Sequence, residues 1–80
     1  MKILKFYSEY CGPCKVMDAN LKKLNIDFVP VDINDEDNDA LIEKYKIRNI
    51  PTIVKEKDGI EIARFTGVMS IDKLKEWCDD

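Results

Sequence analysis

Short apolar runs alternate with amphipathic stretches along this chain, and the change of period marks the elements. Ile3-Leu4-Lys5-Phe6-Tyr7 is apolar and aromatic enough for a buried strand. The next stretch carries Val16, Met17, Leu21 and Leu24, which predicts a helix with those four on its buried face. A second strand runs through Phe28-Val29-Pro30-Val31 and on through Asp32 and Ile33. Its proline predicts a sheet edge, because proline cannot donate to a ladder.

The polar segment Asn34 to Asp39 supplies helix caps and negative charge at a helix start, and Leu41, Ile42 and Tyr45 follow as the buried side of a short helix. A calcium loop fits its opening, with Asp32, Asn34, Glu36 and Glu43 in ligand positions. It fails at the sixth position, where Asp37 stands in place of glycine. Beyond Ile47-Arg48-Asn49-Ile50-Pro51, two runs flank Lys57-Asp58-Gly59: Thr52 to Glu56 and Ile60 to Thr66. An Asp-Gly between two such runs predicts a β-hairpin. Gly67 ends it, Ser70 is placed to cap, and Ile71, Leu74, Trp77 and Cys78 form the apolar side of a last helix. The order is βαβαββα. A βαβ unit makes the first two strands parallel, and the hairpin completes a four-stranded mixed sheet flanked by helices, an α/β domain spanning residues 1–80.

With 80 residues there is room for one small domain, near the lower limit for folding on a hydrophobic core alone. Hydrophobic residues at 45% and charged residues at 36% give an ordinary globular balance, which argues against disorder. A net charge of −3, with basic residues scattered among acids, argues against a nucleic-acid surface. Met1 to Leu4 lead straight into the first predicted strand without a signal-like region, and no apolar run is long enough to span a bilayer. The expectation is a soluble cytoplasmic monomer without membrane or nucleic-acid partners.

The candidate chemistry is Cys11-Gly12-Pro13-Cys14, at the junction of the first strand and first helix. Unpaired backbone N–H groups and the helix dipole favour an anion there and lower a thiol pKa. Cys11 is then the nucleophile, and Cys14, one turn deeper, is placed to resolve a mixed disulfide on Cys11. Gly12 leaves the approach open, and Pro13 sits in the first turn, where its missing N–H is not needed. A structural zinc needs four ligands, yet the chain has no histidine and one further cysteine, Cys78. A purely structural disulfide across two residues closes too small a loop to stabilise much. A redox dithiol is the reading favoured over these and over two unrelated core thiols. It needs no cofactor beyond the two thiols and no metal.

Together these residues resemble the thioredoxin family over nearly the whole length. Tyr10-Cys11-Gly12-Pro13-Cys14-Lys15 looks like its active-site signature, with Tyr10 in place of the usual Trp. Ile50-Pro51-Thr52 matches the cis-proline element, and Asp58-Gly59 with Thr66-Gly67 matches the hairpin and the glycine beyond it. The resemblance implies a thioredoxin-like fold, a cis Ile50-Pro51 bond facing the dithiol, and reduction of protein disulfides with electrons from thioredoxin reductase or a similar donor. The first strand starts at residue 2, which gives a minimal, glutaredoxin-sized thioredoxin. A glutathione-coupled glutaredoxin is the alternative enzyme, although the family's Gly-Gly signature is missing. A metal-carrying or partner-binding module is the non-enzymatic alternative.

The family's buried acid, six positions before the first cysteine, is Lys5 here, and the acid's usual lysine partner aligns with Pro30. Alternation puts Lys5 on the side of Ile3 and Tyr7, where the resemblance implies that the family's acid would lie beneath Cys14. A buried ammonium costs free energy unless paired, so the expectation is a carboxylate partner, with Glu56 on the neighbouring hairpin strand the first candidate, or else a snorkelled, exposed end. Tyr7 reads as core, Tyr10 as part of the rim around Cys11, Trp77 as core packing, and Cys78 as a small buried hydrophobe in preference to a regulatory thiol.

Overall fold

The structure is a computed structural model that describes residues 1–79. Its elements are β1 (Lys2–Tyr7), α1 (Gly12–Lys23), β2 (Val29–Asp32), a 3₁₀ turn (Glu36–Asn38), α2 (Asp39–Tyr45), β3 (Thr52–Lys57), β4 (Ile60–Thr66) and α3 (Ile71–Asp79). The βαβαββα order is as expected. The strands lie in the order β2-β1-β3-β4, with β1 parallel to β2 and antiparallel to β3, and β4 antiparallel to β3. Pro30 is therefore on an edge strand, where its lack of a donor does no harm.

The hairpin turn needs only Asp58 and Gly59, at φ 54° and 79°. Two consecutive positive φ values are what a two-residue turn between right-twisted strands requires, and Asp and Gly tolerate them. β3 accordingly runs one residue further than its sequence suggests. A register shift between Lys55 and Glu56 then offsets the outer part of the hairpin.

Side chains alternate across β1, so the sheet separates two cores. On one face Leu4, Phe6, Val31 and Val54 pack with Tyr45 of α2, and Leu41 and Ile42 lie against them. On the other, Ile53 packs with Met17 and Leu21 of α1, Leu74 of α3 and Met69. Each such side chain taken fully out of water contributes about 1.5–3 kcal/mol. The helical face of α1 differs from expectation at one position. Val16 is exposed, whereas Cys14, Met17 and Leu21 are buried, because spacings of three and four residues share a face and a one-residue step turns about 100° away. Ser70 caps α3 by accepting the Lys73 N–H at 3.3 Å.

Candidate active site

Tyr7 ends β1, and four residues later the chain enters α1 with Cys11 at its N-cap and Pro13 in the first turn. This short connection puts the dithiol at the helix N-terminus beyond the carboxyl end of a central strand. Cys11 and Cys14 form a disulfide with Cα atoms 5.2 Å apart. The Cys11 Sγ accepts the Cys14 backbone N–H at 3.1 Å, so a helix donor that lacks an intrahelical partner is spent on sulfur. Exposure divides the pair: Cys11 is partly accessible, and Cys14 is 1% exposed. A side-chain carbon at Gly12 would meet no atom within 4 Å, so the approach to Cys11 is open. Tyr10, 90% exposed, stands beside it.

Thr52 pairs with Phe6, so Pro51 lies level with Tyr7, at the end of the sheet from which the dithiol loop departs. The Ile50–Pro51 peptide bond is cis. Pro51 is buried, its carbonyl accepts the Gly67 N–H at 2.8 Å, and the Thr52 hydroxyl donates to the Asn49 carbonyl at 2.6 Å. Ile50 packs against the Phe6 core rather than standing free.

Beside the dithiol is a cavity of about 450 Å³ lined by Lys5, Tyr7, Ser8, Glu9, Cys14, Lys15, Asp18, Lys22 and Pro30. It joins three of the sequence-derived site residues, Lys5, Cys14 and Lys15, to Asp18, which sequence reading missed. The expected Lys5–Glu56 pair does not form. Lys5 is level with Ile53 and shares its face, while Glu56 is level with Lys2 on the opposite face, one residue out of phase. Lys5, its side chain 3% exposed, instead donates to Asp18 Oδ1 at 3.2 Å and lies over the rings of Tyr7 and Phe28, 5.2 and 5.7 Å from their centroids. Lys22 reaches the other Asp18 oxygen at 2.9 Å. Burial works to raise the Asp18 carboxyl, but hydrogen bonds from Lys22 and Lys5, with their charges, hold it below the usual range. Asp18 was legible in principle, since it lies four residues after Cys14 and four before Lys22 on one helical face.

Glu56, on the far face, accepts a hydrogen bond from the Tyr45 hydroxyl. Trp77 and Cys78 are partly buried on α3, with the Lys55 ammonium 4.4 Å from the Trp77 ring centroid and donating to the Trp77 carbonyl. Among the described residues no group of three or more His, Cys, Asp or Glu side chains could hold a metal ion, and no helix is long and apolar enough to cross a membrane.

The thioredoxin family model matches residues 1–80. The chain is 35% identical over 75 residues to a thioredoxin of Chlamydia caviae, covering 90% of this chain and 74% of that protein. It is 34% identical over 80 residues to thioredoxin C-3 of Corynebacterium nephridii, covering 96% of this chain and 55% of that one. Among solved structures, the germline-specific thioredoxin Deadhead of Drosophila melanogaster superposes with a TM-score of 0.80 at 30% identity, covering 96% of this chain and 76% of that chain. The thioredoxin of Malassezia sympodialis does so at 0.81 with 25% identity, covering 96% and 70%.

Proposed function

The chain belongs to the thioredoxin family and is a thiol-disulfide oxidoreductase, and on that premise we propose that Cys11 is its nucleophile, Cys14 its resolving thiol, and protein disulfides its substrates. The observation that carries the assignment is the asymmetry of the pair. Cys11 is reachable, and its sulfur sits at a helix N-terminus accepting a backbone N–H, an arrangement that favours thiolate. Cys14 is buried one turn along and can reach only what is already attached to Cys11.

The Cys11 thiolate attacks a substrate disulfide, forming a mixed disulfide and releasing one substrate thiolate. Cys14 then attacks the Cys11 sulfur, closing the Cys11–Cys14 bond and releasing the second. Two electrons pass from the dithiol to the substrate. Gly12, Pro13, Tyr10 and Lys15 shape the approach, and Ile50 and Pro51 hold the neighbouring end of β3. Family membership implies a reductase as electron donor, and we place the chain in the cytoplasm as a single monomeric domain over residues 1–80. The family's chemistry needs nothing beyond the redox disulfide.

The test is insulin reduction driven by NADPH through thioredoxin reductase, run in parallel with glutathione and glutathione reductase. Turnover in the first arm supports the proposal. Turnover in the glutathione arm alone, or in neither arm with reduced protein present, overturns it.

A further inference from the structure

Lys5 is a nearly fully buried ammonium that the dithiol steps above do not use. An aliphatic side chain would fill its place on the Phe28 ring at less cost, since a buried charge is tolerated only when paired. It lines the cavity whose wall includes the resolving cysteine. The groups around that cavity can be named from every element that packs on it: Lys5 and Tyr7 from β1, Glu9 from the loop, Lys15, Asp18 and Lys22 from α1, and the uncharged Pro30 from β2.

Three ammonium groups thus face two carboxylates, but they do not act equally. Lys15 is exposed and the Lys22 side chain is 69% exposed, so water and salt screen both. Lys5 is shielded from solvent, fixed on one side by Asp18 and on the other by two ring faces. Asp18 follows Cys14 by one helical turn on the same face, so the carboxylate that holds Lys5 anchors it to the helix that carries the thiol, in the cavity that Lys5, Asp18 and Cys14 line together.

We propose that Lys5, held by Asp18, is the positioning charge that drives Cys14 to its thiolate for the resolving step. Cys14 lies in the first turn of α1, where the helix dipole acts in the same direction. The thiol proton leaves through the cavity mouth to solvent. The resulting thiolate attacks the Cys11 sulfur, the Cys11–Cys14 bond forms, and the bond from Cys11 to the substrate sulfur breaks with its electron pair leaving on the substrate. The site thereby prepares its buried thiol with a fixed cation and has no need of a neighbouring base of matched pKa.

The inference rests on the dithiol reading, and its experiment is separate from that of the reading itself. In a Cys11→Ser, Cys78→Ser background Cys14 is the sole thiol, and the ¹³Cβ chemical shift of Cys14 against pH reports its ionisation without needing reagent access. Lys5→Met raises the Cys14 midpoint by about 1 pH unit, the low end of what a close opposite charge does. A purely structural role for Lys5 leaves the midpoint unmoved, and that result overturns the proposal. Should Lys5→Met fail to fold, Lys5→Gln is read in the same way, and an unchanged or lowered midpoint overturns it. Wild-type insulin reduction reads the dithiol mechanism independently: an active chain with an unshifted Cys14 keeps the function and loses the role of Lys5.

Discussion

Tyr45 and Glu56 are eleven residues apart in sequence and joined inside the protein, the Tyr45 hydroxyl donating to the Glu56 carboxylate on the α2 face of the sheet. That hydrogen bond, followed by burial and the negative charges of Glu56 and Glu61, pushes the Tyr45 hydroxyl up to about 12. The group is thus harder to ionise in the folded chain than in the unfolded one, where a tyrosine titrates near 10. Its contribution to stability is complete below about pH 10 and is lost as pH rises toward 12. Urea unfolding between pH 8 and pH 12 should show this alkaline fall. Tyr45→Phe should lower stability at pH 7 by about 1–3 kcal/mol by leaving Glu56 without its donor, and should flatten the fall. A variant with the wild-type alkaline slope would show that another group produces it.

Cys11→Ser should bring insulin reduction down to the uncatalysed rate, since no other accessible thiol stands at the helix N-terminus. Cys14→Ser should accumulate a covalent adduct with substrate, visible as added mass in the intact protein, because the resolving attack is lost. Normal turnover by Cys14→Ser would contradict a two-thiol mechanism.

Cys78 should behave as packing. Burial pushes its thiol up, the Lys55 charge opposes this, and Asp79 adds to it, so little thiolate forms near neutral pH. In the reduced protein, iodoacetamide at pH 7 should label Cys11 well before Cys78, as peptide mapping will show, and Cys78→Ser should leave insulin turnover within about twofold of wild type, consistent with a surface-proximal change. Early labelling of Cys78 would mean that its surroundings open in solution.

Reduction should alter tryptophan emission only weakly. The one tryptophan, Trp77, packs at Lys55, which is level with Ile3, whereas the dithiol loop leaves β1 after Tyr7. Four residues of strand at about 3.3 Å each separate the two levels by about 13 Å. A large emission change on adding dithiothreitol would place Trp77 beside the disulfide and refute this arrangement.

Local patterns in the chain determined the element order, the edge position of β2, the Asp58-Gly59 turn and the dithiol at a strand-to-helix junction, because each depends on residues adjacent in sequence or one helical turn apart. Helical spacing also contained the Cys14–Asp18–Lys22 row, since residues four apart share a helical face. Tertiary structure alone decided what Lys5 meets. Its partner depends on which residues of β3 lie level with which residues of β1, and a one-residue difference in that pairing moves a side chain to the other face of the sheet. Glu56 went with Tyr45, Lys5 turned toward α1, and the packing of α1 on that face brought Asp18 within reach. A contact across elements is set by register and docking, which no single segment specifies by itself.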